Sequence, residues 1–218
     1  MKIVTVNAVD IPDAWFQLLW DLKAKGRKFV VEQGSYVGET RLQYDFVVIN
    51  IKQCYREPWA EMIPKMPTHC SAPAPAETEY LHQYMLYLLT PAIRPGETYT
   101  YGQRISPYID NVIRILKKTP NTNQACLAVA KPEDILISDP PCLREVSYQV
   151  DDGVLNQFIN FRSWDLWGGL SVNLAALSIL HKLIADSSGL KIGETVATSK
   201  GLHVYGYAEK LLRMRLGK

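Results

Sequence analysis

Cys142 closes the run Asp139-Pro140-Pro141-Cys142, and it is the residue of this chain best placed to do chemistry. Each proline ring fixes its own φ, so the backbone that presents the sulfur has few conformations open to it. A thiolate held at a strand edge can attack an electrophilic carbon and form a covalent intermediate. Other polar residues sit where neither a core nor a turn needs them. Arg162, Ser163 and Asp165 fall between an apolar strand and a long apolar helix, and Asn173 lies in the first turns of that helix. His203 and Tyr205 alternate on an extended segment, so they share one face. Tyr101 stands in Tyr101-Gly102-Gln103-Arg104. A guanidinium beside the thiol lowers its pKa from about 8.5, and its planar fork also suits an oxyanion. An asparagine amide donates and accepts side by side, which fits the edge of a heterocyclic base. Each residue also has a plainer reading. Cys142 and Tyr101 are then core, Arg162 is an ion-pair partner, Asn173 a cap, and His203 a satisfied core histidine.

The elements that must carry these residues follow from periodicity and caps. Residues 1–7 read as a strand. Asp10-Ile11-Pro12-Asp13 opens a helix with its acids at the positive end, and Trp15, Leu18, Leu19 and Leu22 recur along it up to Gly26. A short strand is expected over 28–32, a glycine-bounded loop over 34–38 and an apolar strand over 44–51. Prolines at 64, 67, 73 and 75 forbid regular structure. A second helix, rich in aromatics, is expected over 77–89, an extended segment over 98–104, and a third helix starting at Ser106-Pro107. Strands follow over 125–130, 143–150 and 154–162, the last two forming a hairpin about Asp151-Asp152-Gly153. A long helix spans 167–187 and stops at Gly189, residues 191–205 are mostly extended, and 207–214 close the chain helically. Strands and helices intermix without strict alternation, so the fold class is α+β, a mixed sheet with flanking helices. The 218 residues are expected to form one domain.

Composition narrows the function. With 47% hydrophobic and 21% charged residues the balance is globular, and a net charge of +2 gives no basic surface for nucleic acid or membrane. The stretch 167–185 contains Ser171, Asn173, Ser178, His181 and Lys182, too polar for a membrane span. Cys54, Cys70, Cys126 and Cys142 form no Cys/His metal spacing, so no metal is expected. No secretory signal is visible, and reduced thiols in a cytoplasmic protein are the expectation.

In order and spacing, five segments resemble the thymidylate synthase family. They are Tyr101-Gly102-Gln103-Arg104, Pro140-Pro141-Cys142, Arg162-Ser163-Trp164-Asp165, Gly169-Leu170-Ser171-Val172-Asn173 and His203-Val204-Tyr205. The short length and the run Pro140-Pro141-Cys142-Leu143-Arg144 are most similar to the archaeal branch. The resemblance implies reductive methylation of dUMP to dTMP, with Cys142 adding to C6 of uracil. Arg162 would activate the thiol and, with Ser163, bind the 5′-phosphate. Asn173 would read O4 and N3–H, and His203 and Tyr205 would hold the 3′-hydroxyl. Asp165 would orient a reduced pterin, and Tyr101 would help remove the C5 proton through water. The carbon donor would be 5,10-methylenetetrahydrofolate or methylene-tetrahydromethanopterin. The family is homodimeric through a sheet face, and the chemistry calls for no nucleic acid and no membrane.

Three departures bear on the phosphate. Asn121-Thr122-Asn123-Gln124 stands where the family reaches across its dimer with paired arginines. Glu32-Gln33-Gly34 stands near an expected loop arginine, and Leu143 replaces the usual histidine. Arg41 and Arg144 are the candidates to substitute. Glu57, Glu61 and Glu79 are candidates for the glutamate that orders water near C4. Two other functions stay open. A pyrimidine nucleotide hydroxymethylase would share the covalent step but end in water addition, and an idle nucleotide- or RNA-binding relative would lack turnover.

Overall fold

A computed structural model describes residues 1–33 and 36–217. Of the loop expected over 34–38, Gly34 and Ser35 lie outside the described residues. In chain order the strands are β1 (Ile3–Ala8), β2 (Arg27–Val30), β3 (Thr40–Gln43), β4 (Phe46–Ile51), β5 (Cys126–Ala128), β6 (Leu143–Asp151), β7 (Val154–Phe161), β8 (Trp164–Asp165), β9 (Lys191–Ser199) and β10 (Leu202–Tyr205). The helices are α1 (Ile11–Lys25), α2 (Thr78–Leu89), α3 (Tyr101–Ile105), α4 (Ile109–Lys118), α5 (Leu170–Ser188) and α6 (Gly206–Leu216). The architecture is α+β, as the pattern implies.

The larger sheet runs β1-β4-β9-β7-β6-β5 and mixes parallel and antiparallel pairs. Strands β1, β4 and β7 alternate strictly. Val4, Val6 and Ala8 of β1, Val47, Ile49 and Ile51 of β4, and Leu155, Ile159 and Phe161 of β7 turn to one buried face. Helix α5 packs on that face. Apolar residues occupy nearly every side of its first three turns, so that part must be enclosed rather than laid on a surface. Contacts with α1, α2 and α4 enclose it. Two hydrogen bonds join it to β7, while the buried Ser171 Oγ has no partner among the described residues. Gln157 Nε2 donates to Leu177 O at 3.0 Å, and the His181 ring meets Leu155 O through Nε2 at 2.7 Å. Burial pushes the His181 pKa down to about 4, so the ring is neutral in the core.

The smaller sheet, β2-β3-β10-β8, is made of short strands. Register decides its use. Tyr205 lies opposite Arg41, and His203 lies opposite Asp165. Paired residues share a face, as do alternate residues of one strand, so all four side chains come to one side.

The caps explain most element boundaries. Asp10 accepts from Asp13 N at 2.9 Å and Pro12 sits in the first turn of α1. The β6–β7 turn has Asp152 at φ 45° and Gly153 at φ 76°, the left-handed pair a tight hairpin requires. Helix α5 ends on Gly189 at φ 73° but begins at Leu170, not 167. Two expectations fail around residue 100. The segment 98–104 is not extended, because Thr100 caps α3 by accepting from Gln103 N at 2.9 Å. Its Thr-Tyr-Thr-Tyr alternation looks like a strand, but the cap prevails. Ser106 does not open the third helix either. It is the αR residue through which α3 passes into the short 3-10 turn Ser106–Tyr108 and then α4.

Gly102 lets α3 dock. A Cβ there would meet Thr90 O at 2.1 Å and Tyr87 O at 2.5 Å, both backbone at the end of α2. Gly102→Ala is therefore expected to destabilise the fold by about 3 kcal/mol in urea unfolding, as an overpacked contact that cannot relax into a side chain. A loss under about 0.5 kcal/mol would show that α3 has room to move.

Candidate functional site

A cavity of about 850 Å³ opens between the smaller sheet, α2 and the N-terminal end of α5. Cys142, Arg162, Ser163, Asp165, Asn173, Tyr101, His203 and Tyr205 all line it, although they span more than a hundred residues of chain. Each arrives on an element whose geometry is already fixed. The β6–β7 ladder ends with Leu143 opposite Phe161. One step further, Arg162 N donates to Cys142 O at 2.8 Å. The hairpin thus sets the arginine across from the cysteine. The chain then crosses to the smaller sheet through Ser163 and enters β8.

Arg162 ties down the loop before the cysteine. Its Nε donates to Pro140 O at 3.1 Å and Pro141 O at 3.2 Å, and its Nη2 reaches Asp139 Oδ1 at 3.1 Å and Pro140 O. Proline carbonyls keep two lone pairs though the ring has no N–H, so they can take these donors. Arg104 holds the preceding turn. It makes a two-pronged, buried bond to Asp134 with both contacts at 2.7 Å, and it donates to Val129 O. The Asp134 carboxyl is held below its ordinary pKa first by that guanidinium.

The thiol itself departs from expectation. Burial pushes the Cys142 pKa up, and Asp139 adds to this. Arg162, Arg41 and Arg144 pull it down without overcoming the burial. The thiol is therefore mostly protonated at neutral pH. Tyr101 accepts from Leu143 N at 3.3 Å through its hydroxyl oxygen, and burial with the nearby thiol pushes its pKa far up. It stays a phenol. Asp165 accepts from Trp167 N at 3.0 Å and Gly168 N at 3.3 Å, yet burial raises its pKa above the usual carboxylate range.

The smaller sheet supplies the other wall. His203 Nδ1 lies 2.7 Å from Gly201 O and must donate to it, since a carbonyl only accepts. Burial first, then Arg41, pushes the ring pKa down to about 3, so the ring is neutral and Nε2 carries a lone pair. That Nε2 is buried with no partner among the described residues. Arg41 donates to Ser163 Oγ at 2.8 Å, and its guanidinium lies 5.6 Å from the Tyr205 ring centre. Its Nε is also buried without a partner among the described residues. Arg144 turns away, donating to Pro141 O at 3.1 Å and lying 3.6 Å from Asp134. Of the two substitute arginines, Arg41 is the one in the cavity.

Several lining residues have little or no signature in the sequence. Tyr80, Tyr84 and Tyr87 form one face of α2, with Tyr87 5.6 Å from Tyr101 edge to face. Their spacing at 80, 84 and 87 was the available signal. Trp164 donates through Nε1 to Asn173 Oδ1 at 2.8 Å, a contact no spacing rule announces. Glu57, Glu61 and Glu79 do not line the cavity; they meet Tyr55, Lys65 and His82. Glu97 and Gln83 line it instead. Among the described residues no cluster of three or more His, Cys, Asp or Glu could hold a metal. Nor is any described helix long and apolar enough to cross a membrane.

Comparison with known proteins bears on this cavity. Residues 51–217 match the family model described as thymidylate synthase. A protein of Methanosarcina mazei named "Putative thymidylate synthase" is 27% identical over 209 residues, covering 93% of this chain and 89% of the relative. Relatives of the same name from Methanosarcina acetivorans and Methanococcoides burtonii are each 26% identical over the same shares.

Alkylation by iodoacetamide, followed by peptide mass mapping, reads the thiol. The Cys142 midpoint should lie at higher pH in the native protein than after denaturation, because the native pKa is raised. Asp139→Asn should move the native midpoint down, since the carboxylate it removes favours the neutral thiol. A native midpoint below the denatured one would contradict this electrostatic picture.

Proposed function

Because the chain belongs to the thymidylate synthase family, we propose that it converts dUMP to dTMP with a methylene-tetrahydropterin as carbon donor. The family's chemistry is methyl transfer. The observation that supports the reading is the convergence of Cys142, Arg162, Asn173, His203 and Tyr205 on one cavity. We take the 218 residues as a single catalytic unit.

The reaction assigns each group a task. Cys142 gives its proton to water and adds as the thiolate to C6 of uracil, which pushes electrons to C5 and O4 and makes C5 nucleophilic. C5 bonds to the donor's methylene carbon, then loses its proton. The pterin nitrogen departs, and a hydride from the pterin reduces the exocyclic methylene to methyl as Cys142 is expelled. The pterin leaves at the dihydro level, so electrons balance. Tyr101 cannot be the base as a phenolate, given its raised pKa. It orders water that carries the C5 proton away. The His203 Nε2 lone pair accepts from the 3′-hydroxyl beside Tyr205. Asp165 meets the pterin ring, and burial raises its pKa, which makes its carboxyl easier to protonate than an exposed one.

The phosphate falls to Arg162, Ser163 and Arg41. A dianion here draws the Arg162 guanidinium from Asp139 and gives an acceptor to the Arg41 Nε, which has none among the described residues. In this reading Arg41, from the same chain, takes over from cross-dimer arginines. The uncovered face of the six-stranded sheet, where Ile3 and Phe158 are exposed, is the surface for a homodimer.

Incubation with 5-fluoro-dUMP and a methylene-tetrahydropterin should trap a covalent adduct on Cys142, because fluorine cannot leave as a proton does. Cys142→Ser should abolish it. Tritium release from 5-tritiated dUMP, run with methylene-tetrahydrofolate and with the methanopterin donor, names the carbon source; no release with either defeats the proposal. A product heavier by one oxygen would make the enzyme a hydroxymethylase.

Arg41→Ala should raise KM for dUMP about tenfold to a hundredfold, the scale of a lost charge-assisted hydrogen bond. It should leave binding of deoxyuridine, which has no phosphate, nearly unchanged. Arg144→Ala should leave the ratio of nucleotide to nucleoside affinity alone. Equal loss for nucleotide and nucleoside in Arg41→Ala would rule out a phosphate contact.

A further inference from the structure

A carboxamide is nearly symmetric in shape. Turned one way, it donates to O4 and accepts from N3–H, which is the edge of uracil. Turned over, it accepts from an exocyclic amine and donates to N3, which is the edge of cytosine. An asparagine free to turn therefore reads both rings, and Asn173 alone cannot choose between them.

Asn173 is not free to turn. Its Oδ1 accepts from Trp164 Nε1 at 2.8 Å. An indole nitrogen only donates, so the turned-over amide would set its NH2 against another N–H and leave a buried donor unpaired. The indole cannot move out of the way. Trp164 is 2% exposed, lies flat on Phe161 with centroids 4.0 Å apart and planes 9° apart, and is pinned in β8 opposite Leu202. The amide oxygen keeps a second lone pair and the NH2 keeps both protons, so the held orientation still presents a donor and an acceptor to a ring.

We propose that Trp164 is the specificity-determining partner of Asn173, a positioning residue that holds the amide in the uracil-reading orientation and excludes the cytosine-reading one. The choice of a pyrimidine nucleotide as ligand rests on the reaction proposed above; the locking of the amide rests on the indole geometry.

Calorimetric titration with dUMP and with dCMP, without a carbon donor, tests the lock. The unmodified protein should prefer dUMP. Trp164→Phe keeps an aromatic ring but loses the N–H. It should bind dUMP within a few-fold of the original and gain dCMP, so that the preference falls by about tenfold or more, the scale on which hydrogen-bonding sites discriminate. Trp164→His, whose ring either donates or accepts, should move the preference in the same direction. Near-ultraviolet circular dichroism identifies which variants are folded. A folded variant with the original preference overturns the proposal, as does equal binding of both nucleotides by the unmodified protein. Failure of the proposed reaction looks different: the lock would still govern binding, while tritium release would be absent.

Discussion

Helix α5 is the constraint on which everything else leans. Its first three turns are buried nearly all round, so they need a sheet beneath them and other helices around them; β9, α1, α2 and α4 take those places, and β7 is joined by hydrogen bonds. Once α5 is enclosed, its N-terminal turns can go only where the sheet ends. Asn173 is thereby delivered to the top of the β6–β7 hairpin, beside the strand end that carries Cys142 and Arg162. The site is the by-product of closing a core.

The electrostatics of the site are a balance of burial against charge. Dry surroundings favour neutral forms at Cys142, Tyr101, Asp165 and His203 alike. Arginines oppose this only at the thiol and the carboxylate. At the histidine, Arg41 works with burial and keeps the ring uncharged. The surroundings therefore push these acids and bases toward their neutral forms. A bound anion changes the field that the two guanidinium groups exert on everything near them.

Local structure was largely legible in the sequence. Asp10 with Pro12, the Asp151-Asp152-Gly153 turn, Gly189 and the alternation of β1 and β4 each act within a few residues, which is the range that patterns report. The failures share a cause. At Thr100 a single side-chain cap overrode an alternation that looked like a strand, and Ser106 was only a passage between helices. The residues of the cavity stood out by type and spacing, but their partners did not. That Arg41 and not Arg144 enters the cavity depends on the β3–β10 register, a pairing across more than 150 residues. The contact between Trp164 and Asn173 is equally invisible, since it depends on how β8 turns into the smaller sheet. Burial at Cys142 also cannot be read from a motif, and it reverses the sign of the thiol's shift.

The two sheets that share the cavity are unequal in their resistance to opening. Helix α5 and the long strands β6, β7 and β9 belong to the densest part of the core, whose amides exchange with solvent only when the whole fold is lost. Strands β2, β3, β8 and β10 are at most four residues long, and β2 and β3 have no fully buried residue. Their amides should exchange through local opening well before those of the core. Cys142 and Asn173 thus stand on the slowly exchanging part of the molecule, while Arg41, His203 and Tyr205 stand on the quickly exchanging part. A ligand that touches both would register chiefly as slowed exchange in the smaller sheet, the half with order still to gain.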